Sequence, residues 1–327
     1  MVHPAPLLYS DRQAMRLFLG VDGGQSDTHA MIGDESGRVL GAGSGGPCNH
    51  AGRAEGRRKL TRAVTDSVGA ACIQAGLDFA SVHFAAACLG MSGGPEDKQE
   101  ILKEILPAAI VVVTDDAVIA LAGATAGAPG IITIAGTGSI AFGRHADGRT
   151  MRAGGWGYIF GDEGSAFDIA RQALRAALRS EEGWGPATAL HAALMEATGA
   201  VNANDLLHRF YSDEWPRARV AELAPLVDRT ALAGDVVARD ILHNSAQQLA
   251  LLTSSIRSQL WRPAEPVPVI WAGGVFRSPL LLERYRYLVE LEEGNRTGPP
   301  AFDAATGALL EAYRAAGLDV SRLIGRY

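Results

Sequence analysis

Short apolar runs alternate along the chain with glycine-rich breaks. Leu17-Phe-Leu-Gly-Val-Asp22 has the length and content of a buried strand, Gly23-Gly24 turn the chain, and Thr28-His-Ala-Met-Ile-Gly33 supplies a second strand. Asp34-Glu-Ser-Gly37 marks another turn before Arg38-Val-Leu40, so the block reads as a meander. The same order recurs at Ile131-Ile-Thr-Ile-Ala135, Gly136-Thr-Gly138, Ser139-Ile-Ala-Phe142, the Asp147-Gly148 turn and Arg149-Thr-Met151. Between the blocks, Leu60, Val64, Val68 and Cys72 stand at four-residue steps and predict an amphipathic helix over 54–75. A strand Val82–Cys88, a helix near 97–106, a strand Ala109–Val113 and a helix-like Ala117–Ala122 follow. Beyond the second block the pattern is mostly helical: 164–180, 187–197, 203–211, 217–233 and a long helix from Asp235 to about Leu260. Val267-Pro-Val-Ile-Trp-Ala272 is a further apolar strand ending in Gly273-Gly274, and a last helix runs from Asp303, its N-cap, to Ala316.

Strands alternating with helices make this an α/β protein, and the repeated meander divides it into two related halves. Its 327 residues exceed what one core usually holds. The expected division is 17–117 and 118–302, with the helix 303–316 free to pack back on the first half.

Composition narrows the function classes. Hydrophobic residues make up 47% and charged residues 20%, no apolar run is long enough for a membrane span, and residues 1–16 lack the pattern of a secretory signal. Cys48, Cys72 and Cys88 are widely spaced and form neither a disulfide framework nor a metal knuckle, so a cytoplasmic protein is expected. A net charge of −6 without a lysine or arginine block gives no footprint for nucleic acid. Any phosphate must be held locally, and the chain's 39 glycines show where.

Three buried strands end in glycine pairs: Asp22-Gly-Gly24, Ala135-Gly-Thr-Gly138 and Ala272-Gly-Gly274. Successive N–H groups in such turns can cradle an anion, and two turns have hydroxyl neighbours, Ser26 with Thr28 and Thr137 with Ser139; the alternative is a plain hairpin turn. No P-loop motif occurs, and Gly41-Ala-Gly43-Ser-Gly-Gly46 runs into Pro47 without opening a helix, which argues against a dinucleotide fingerprint.

The acids carry the candidate chemistry. Asp22, beside the first turn, could hold Mg²⁺ next to phosphates or merely serve the turn. Of Asp115 and Asp116, at a strand end, one could cap the following helix while the other takes a proton from an attacking hydroxyl. Asp162-Glu163, inside Gly154-Gly-Trp-Gly-Tyr-Ile-Phe-Gly-Asp-Glu-Gly-Ser165, could cap helix 164–180. A sugar would explain more: carboxylates accept from vicinal hydroxyls, Trp156 offers an aromatic face to a pyranose, and the glycines admit the ring.

Gly20-Val-Asp-Gly-Gly-Gln-Ser26, Ala135-Gly-Thr-Gly-Ser139, the Gly154–Ser165 block and Ala272-Gly-Gly-Val-Phe276 together resemble the N-acetylglucosamine kinase branch of the BadF/BadG/BcrA/BcrD ATPase family, within the actin/hexokinase/Hsp70 superfamily. The likeness runs in order from about residue 17 to 316. It implies two ribonuclease-H-like, actin-like ATPase domains around a nucleotide-binding cleft, ATP and Mg²⁺ as cofactors, and a small-molecule sugar as substrate. The reaction implied is phosphorylation of the 6-hydroxyl of N-acetylglucosamine or a related hexosamine by a homodimer. Asp116 matches the family's catalytic base, and Asn49, Gly155, Trp156, Gly157 and Asp162 match sugar contacts. Thr137 and the Gly273-Gly274 turn match ATP contacts, to which Gly23, Gly24, Gln25, Ser26, Thr28, Gly136, Gly138 and Ser139 add the rest of the two turns; Asp22 is the candidate metal residue. Gln25 stands where many relatives carry glycine.

Other classes compete less well. An activator of radical dehydratases needs exposed cysteines in glycine-rich loops, and only Cys48 lies in a suitable place. A sugar-responsive repressor needs a helix-turn-helix, for which the sixteen residues ahead of the first strand are too few.

Overall fold

Both meanders form, and each supplies three strands of a five-stranded sheet. In the computed structural model, which describes residues 15–24, 26–48, 54–93 and 98–324, β1 (Leu17–Gly23), β2 (Thr28–Asp34) and β3 (Val39–Gly45) pair antiparallel in sequence. The chain crosses through α1 (Ala54–Gln74) to β4 (Phe84–Met91), then through α2 (Gln99–Ile105) to β5 (Val111–Asp115). β4 and β5 extend the sheet parallel to β1, in the order β3-β2-β1-β4-β5.

After α3 (Asp116–Ala124) the plan repeats. β6 (Gly130–Ala135), β7 (Ser139–Arg144) and β8 (Thr150–Gly154) form the second meander. Six helices then intervene: α4 (Ala166–Glu181), α5 (Leu190–Thr198), α6 (Ala203–Phe210), α7 (Arg217–Ala221), α8 (Ala224–Leu232) and α9 (Val236–Leu260). β9 (Val267–Ala272), α10 (Pro279–Glu290) and β10 (Asn295–Gly298) complete a second sheet in which β9 is parallel to both β6 and β10. Read from its meander edge, its order is β8-β7-β6-β9-β10, the same arrangement as the first. Each sheet has the ribonuclease-H-like topology of an actin-like ATPase domain. The chain divides into two compact units, one of residues up to Asp116 together with Ala308 onward, the other Ala117–Gly307; α11 (Ala304–Ala315) contributes to both.

In the first unit, Leu60, Val64 and Val68 of α1 are fully buried with Leu19, Val21, Phe84 and Leu89 of the sheet. The helix lies flush on β3 because of alternate glycines. A Cβ on Gly41, Gly43 or Gly45 would come within 2.3, 2.2 and 2.2 Å of the Ala71, Ser67 and Ala63 carbonyls. The glycine-rich run of β3 therefore serves helix packing. In the second unit, Ile169, Leu242, Leu249, Ile256 and Val269 join one core. Arg257 is also fully buried there; Asn295 Oδ1 and the carbonyls of Arg262 and Glu265 accept from its guanidinium at 2.7 to 3.0 Å. A charge so deep is tolerated only when its donors are met.

Three points depart from expectation. β4 runs on to Met91 because Gly90 stays in the ladder, opposite Asp22 and Thr114. The helix expected over 217–233 is two helices, α8 carrying Pro225 in its first turn, the only turn its missing N–H suits. α10 and β10 are additional, and β10, Asn-Arg-Thr-Gly, has no apolar periodicity to announce it. Asp303 does cap α11, accepting from Thr306 N–H at 2.8 Å, and a short helix, α12 (Val320–Ile324), follows. Among the described residues no helix is long and apolar enough to cross a membrane.

Candidate functional site

In the first unit, register brings the acids to one edge of the sheet. Gly23 pairs with Met91 and Met91 with Asp115, so the carboxyl ends of β1, β4 and β5 finish level. Ligands of open α/β sheets gather at such ends. Asp22 precedes the turn at the end of β1, Ser92 follows β4, and Asp116 opens α3 immediately after β5. Ser92 joins them. Its N–H donates to the Gly23 carbonyl at 3.1 Å and its hydroxyl to Asp116 Oδ2 at 2.8 Å. The half-buried Asp116 is thus held by one oxygen at a fixed distance from the first glycine turn.

Gly23 is explained by packing: a Cβ there would meet Met91 Sδ at 2.4 Å. Gly24 closes the turn by donating to the Asp27 carbonyl at 2.9 Å, and Ser26 at the tip is exposed. Thr28 is fully buried. Its hydroxyl donates to the Gly46 carbonyl at 2.7 Å and lies 2.8 Å from Cys48 Sγ, so it braces the segment after β3 against the turn. Burial pushes the Cys48 thiol above its ordinary range and keeps it neutral. Asn49 and Gln25 lie outside the described residues.

In the second unit the turn between β6 and β7 exposes Thr137 at its tip. The Gly136 carbonyl accepts the Ala166 N–H of α4 at 2.8 Å, which sets the positive end of a 16-residue helix against the turn. Gly136 is not in the left-handed region, and a Cβ there would meet nothing within 4 Å. Beside it β9, registered on β6 through Ile134 and Ala272, ends in the exposed Gly273-Gly274 turn. Gly273 has φ +101°, and a Cβ on it would lie 2.3 Å from the Ala135 carbonyl, so this position accepts only glycine. Gly274, like Gly136, has open space around it and an ordinary φ. At these two positions neither backbone conformation nor packing explains the missing side chain.

The Gly154–Ser165 loop folds over the same turn. Ser139, only 3% exposed, donates its hydroxyl to the Glu163 carbonyl at 2.7 Å, and its N–H donates to Asp162 Oδ1 at 3.1 Å. Asp162 is buried and has φ +60°, unusual for a residue with a side chain. Arg217 of α7 donates to its other oxygen. Asp162 does not cap α4. That role belongs to Ser165, whose side chain accepts from Asp168 N–H, while Asp168 in return accepts from Gly164 N–H at 3.1 Å. Gly155 and Gly157 take positive φ on either side of Trp156, which is 67% exposed, with the Arg152 guanidinium 5.1 Å from its ring centroid.

The first unit thus brings together Asp22, Gly23, Gly24 and Asp116; the second gathers Gly136, Thr137, Gly138, Ser139, Asp162, Gly273 and Gly274. Sequence reasoning missed Ser92 and Arg217. Ser92 had a signal, since Leu89-Gly-Met-Ser-Gly93 is another strand ending in glycine; Arg217 had none, being 55 residues from Asp162. Among the described residues no group of three or more His, Cys, Asp or Glu could hold a metal ion alone. A single carboxylate such as Asp22 suits Mg²⁺ when phosphates and water fill its other positions, so these residues fit an ion that arrives with a nucleotide.

Known proteins share this plan. An N-acetylmuramic acid/N-acetylglucosamine kinase of Clostridium acetobutylicum is 32% identical over 285 residues, covering 85% of this chain and 91% of that protein. An N-acetyl-D-glucosamine kinase of Dictyostelium discoideum is 30% identical over 279 residues, covering 79% and 85%. A crystal structure from Chromobacterium violaceum, provisionally named an N-acetylglucosamine kinase, superposes with a TM-score of 0.74 at 28% identity, over 90% of this chain and 98% of that one. The sequence model of the BadF/BadG/BcrA/BcrD ATPase family matches residues 19–312. With two sheets of one topology, each ending in glycine turns, and that match along most of its length, this chain belongs to the BadF/BadG/BcrA/BcrD ATPase family.

Proposed function

We propose that the chain is an ATP-dependent sugar kinase that transfers the γ-phosphoryl group to the 6-hydroxyl of N-acetylglucosamine or a related hexosamine. The observation that carries this reading is the Ser92 bridge, which ties the Asp116 carboxylate to the first glycine turn. One Asp116 oxygen accepts from Ser92; the other we assign to the acceptor hydroxyl. As O6 forms its bond to the γ-phosphorus, its proton passes to Asp116 and the bond to the β-phosphate oxygen breaks, releasing ADP. The glycine turns of the two units, 23–24, 136–138 and 273–274, are assigned to the nucleotide. The open space at Gly136 and Gly274 supports that assignment, because a ligand supplies the reason for glycine that the protein does not.

Mg²⁺, carried by the nucleotide and held near Asp22, would neutralise charge on the phosphates. Asn49, Gly155, Trp156, Gly157 and Asp162 are assigned to the sugar. The carboxylate of Asp162 is already shared between Ser139 N–H and Arg217, so its service to the sugar combines direct contact with support of the loop. The amino-sugar kinases among the relatives favour a hexosamine acceptor.

A coupled ADP-release assay over glucose, glucosamine, N-acetylglucosamine and N-acetylmuramic acid tests the reading, with Asp116→Asn alongside. Turnover should appear with at least one amino sugar and fall by about 10³-fold or more in Asp116→Asn, while ATP affinity stays within about threefold. No acceptor-dependent ADP release, or full activity in Asp116→Asn, would end it.

A further inference from the structure

Arg217 opens the five-residue helix α7, far in sequence from everything it touches. Its Nη2 donates to Asp162 Oδ2 and, at 3.2 Å, to the Thr137 carbonyl at the tip of the β6–β7 turn. Asp162 Oδ1 in turn accepts the Ser139 N–H at the far side of the same turn. The contacts therefore close a ring: guanidinium, carboxylate, Ser139 amide, turn backbone, Thr137 carbonyl, guanidinium. Gly138 lies inside it, where a Cβ would come within 2.8 Å of the guanidinium and 3.0 Å of both carboxylate oxygens. The rings of Tyr158 and Phe167 flank the guanidinium, with centroids at 5.3 and 6.0 Å. Its Nε is buried without a hydrogen-bond partner, so the group is held by its Nη side and its ring neighbours alone.

Two features show that the ring carries strain and charge that Arg217 must balance. Asp162 sits in the left-handed region, where a residue with a side chain persists only if its surroundings hold it. The residue is also only 4% exposed, and a buried carboxylate deprived of its cation tends to relax toward water. With Arg217 removed, the Thr137 carbonyl loses a donor and Asp162 is freer to swing away from Ser139 N–H, which leaves the turn with the Ser139 hydroxyl on the Glu163 carbonyl and the Gly136 carbonyl on Ala166 N–H.

We propose that Arg217 is a positioning residue which, by bridging Asp162 and Thr137, fixes the 136–139 turn against the 154–165 loop so that phosphate and sugar are presented in register. This deepens the kinase reading and rests on it for its kinetic consequence; its structural consequence stands apart.

The test uses the full chain with R217M and R217K. Hydrogen exchange at the Ser139 amide should quicken at least about tenfold in R217M and by much less in R217K, since a lysine keeps the charge and loses the fork. In steady-state assays R217M should lower kcat by about 10–100-fold and raise the sugar KM, with the ATP KM moving less; R217K should recover at least part of kcat. A purely structural residue would instead lower the unfolding midpoint and leave kcat and both KM values of the folded enzyme within about twofold. That result, or unchanged Ser139 exchange in R217M, overturns the proposal. R217Q, which keeps a donor and loses the charge, answers the same question if R217M does not fold. If the wild-type chain phosphorylates no amino sugar, the kinase reading fails separately. Ser139 exchange and the affinity for an ATP analogue then decide the role of Arg217: both altered supports it, either one unchanged overturns it.

Discussion

The two units use one scaffold for different work. In both, the first hairpin of the sheet carries a glycine turn, and the first residue after it uses a buried hydroxyl to fasten the segment that follows the third strand. Thr28 holds the Gly46 carbonyl in the first unit and Ser139 the Glu163 carbonyl in the second. The fastened segments differ. In the first it leads through Cys48 toward α1; in the second it is the Gly154–Ser165 loop, with buried Asp162 and exposed Trp156. The acids differ too. Asp116 is held by a neutral hydroxyl, whereas Asp162 is locked to a guanidinium. Under the proposed function this difference is the expected one: a carboxylate that takes a proton is best left without a full positive partner, and one that holds geometry is best given one. The copies thus share their mechanics, and the chemistry lies in what each fastens.

The largest stability effect should come from Gly273, just after β9, with Gly23 at the end of β1 as its milder counterpart. Gly273→Ala combines a positive φ with a collision against the Ala135 backbone and should cost about 3 kcal/mol or more. Gly23→Ala collides only with the flexible end of Met91 and should cost about 1 kcal/mol. Urea unfolding of the two variants checks the ordering; equal losses would mean that Met91 is as immobile as main chain. An effect as small as that at Gly23 sharpens the pairing of hydroxyls. Thr28→Val and Ser139→Ala should each lower stability by about 1 kcal/mol. If one is silent and the other is not, the two fasteners are equivalent in place but not in energy.

Much of this was legible in the sequence because it is local. A strand of five or six apolar residues followed by glycine writes itself into consecutive positions, and so does an i, i+4 helix such as α1. The glycine turns and the acids beside them were found that way. What escaped depends on distance or on absent pattern. β10 has no apolar periodicity, and α10 lies in a stretch whose start signals, Ser278 and Pro279, are only two residues long. The break between α7 and α8 had its signal in Pro225. The cap of α4 went to Ser165 because Asp162, three residues earlier, is drawn to a strand 23 residues away. Ser92 and Arg217 act through partners 24 to 80 residues distant, and no window on a single chain spans such pairs.

The bare backbones of Gly136 and Gly274 separate two quantities that mutation usually confounds. A methyl group at either would meet no neighbour and would trim the freedom of the unfolded chain, so a survey scored on yield or heat resistance would pass alanine there without complaint. On the proposed assignment of these turns to the nucleotide, only a survey scored on phosphorylated product should register a loss, and alanine at these two sites should then give an inert but intact form of the chain for use as a control.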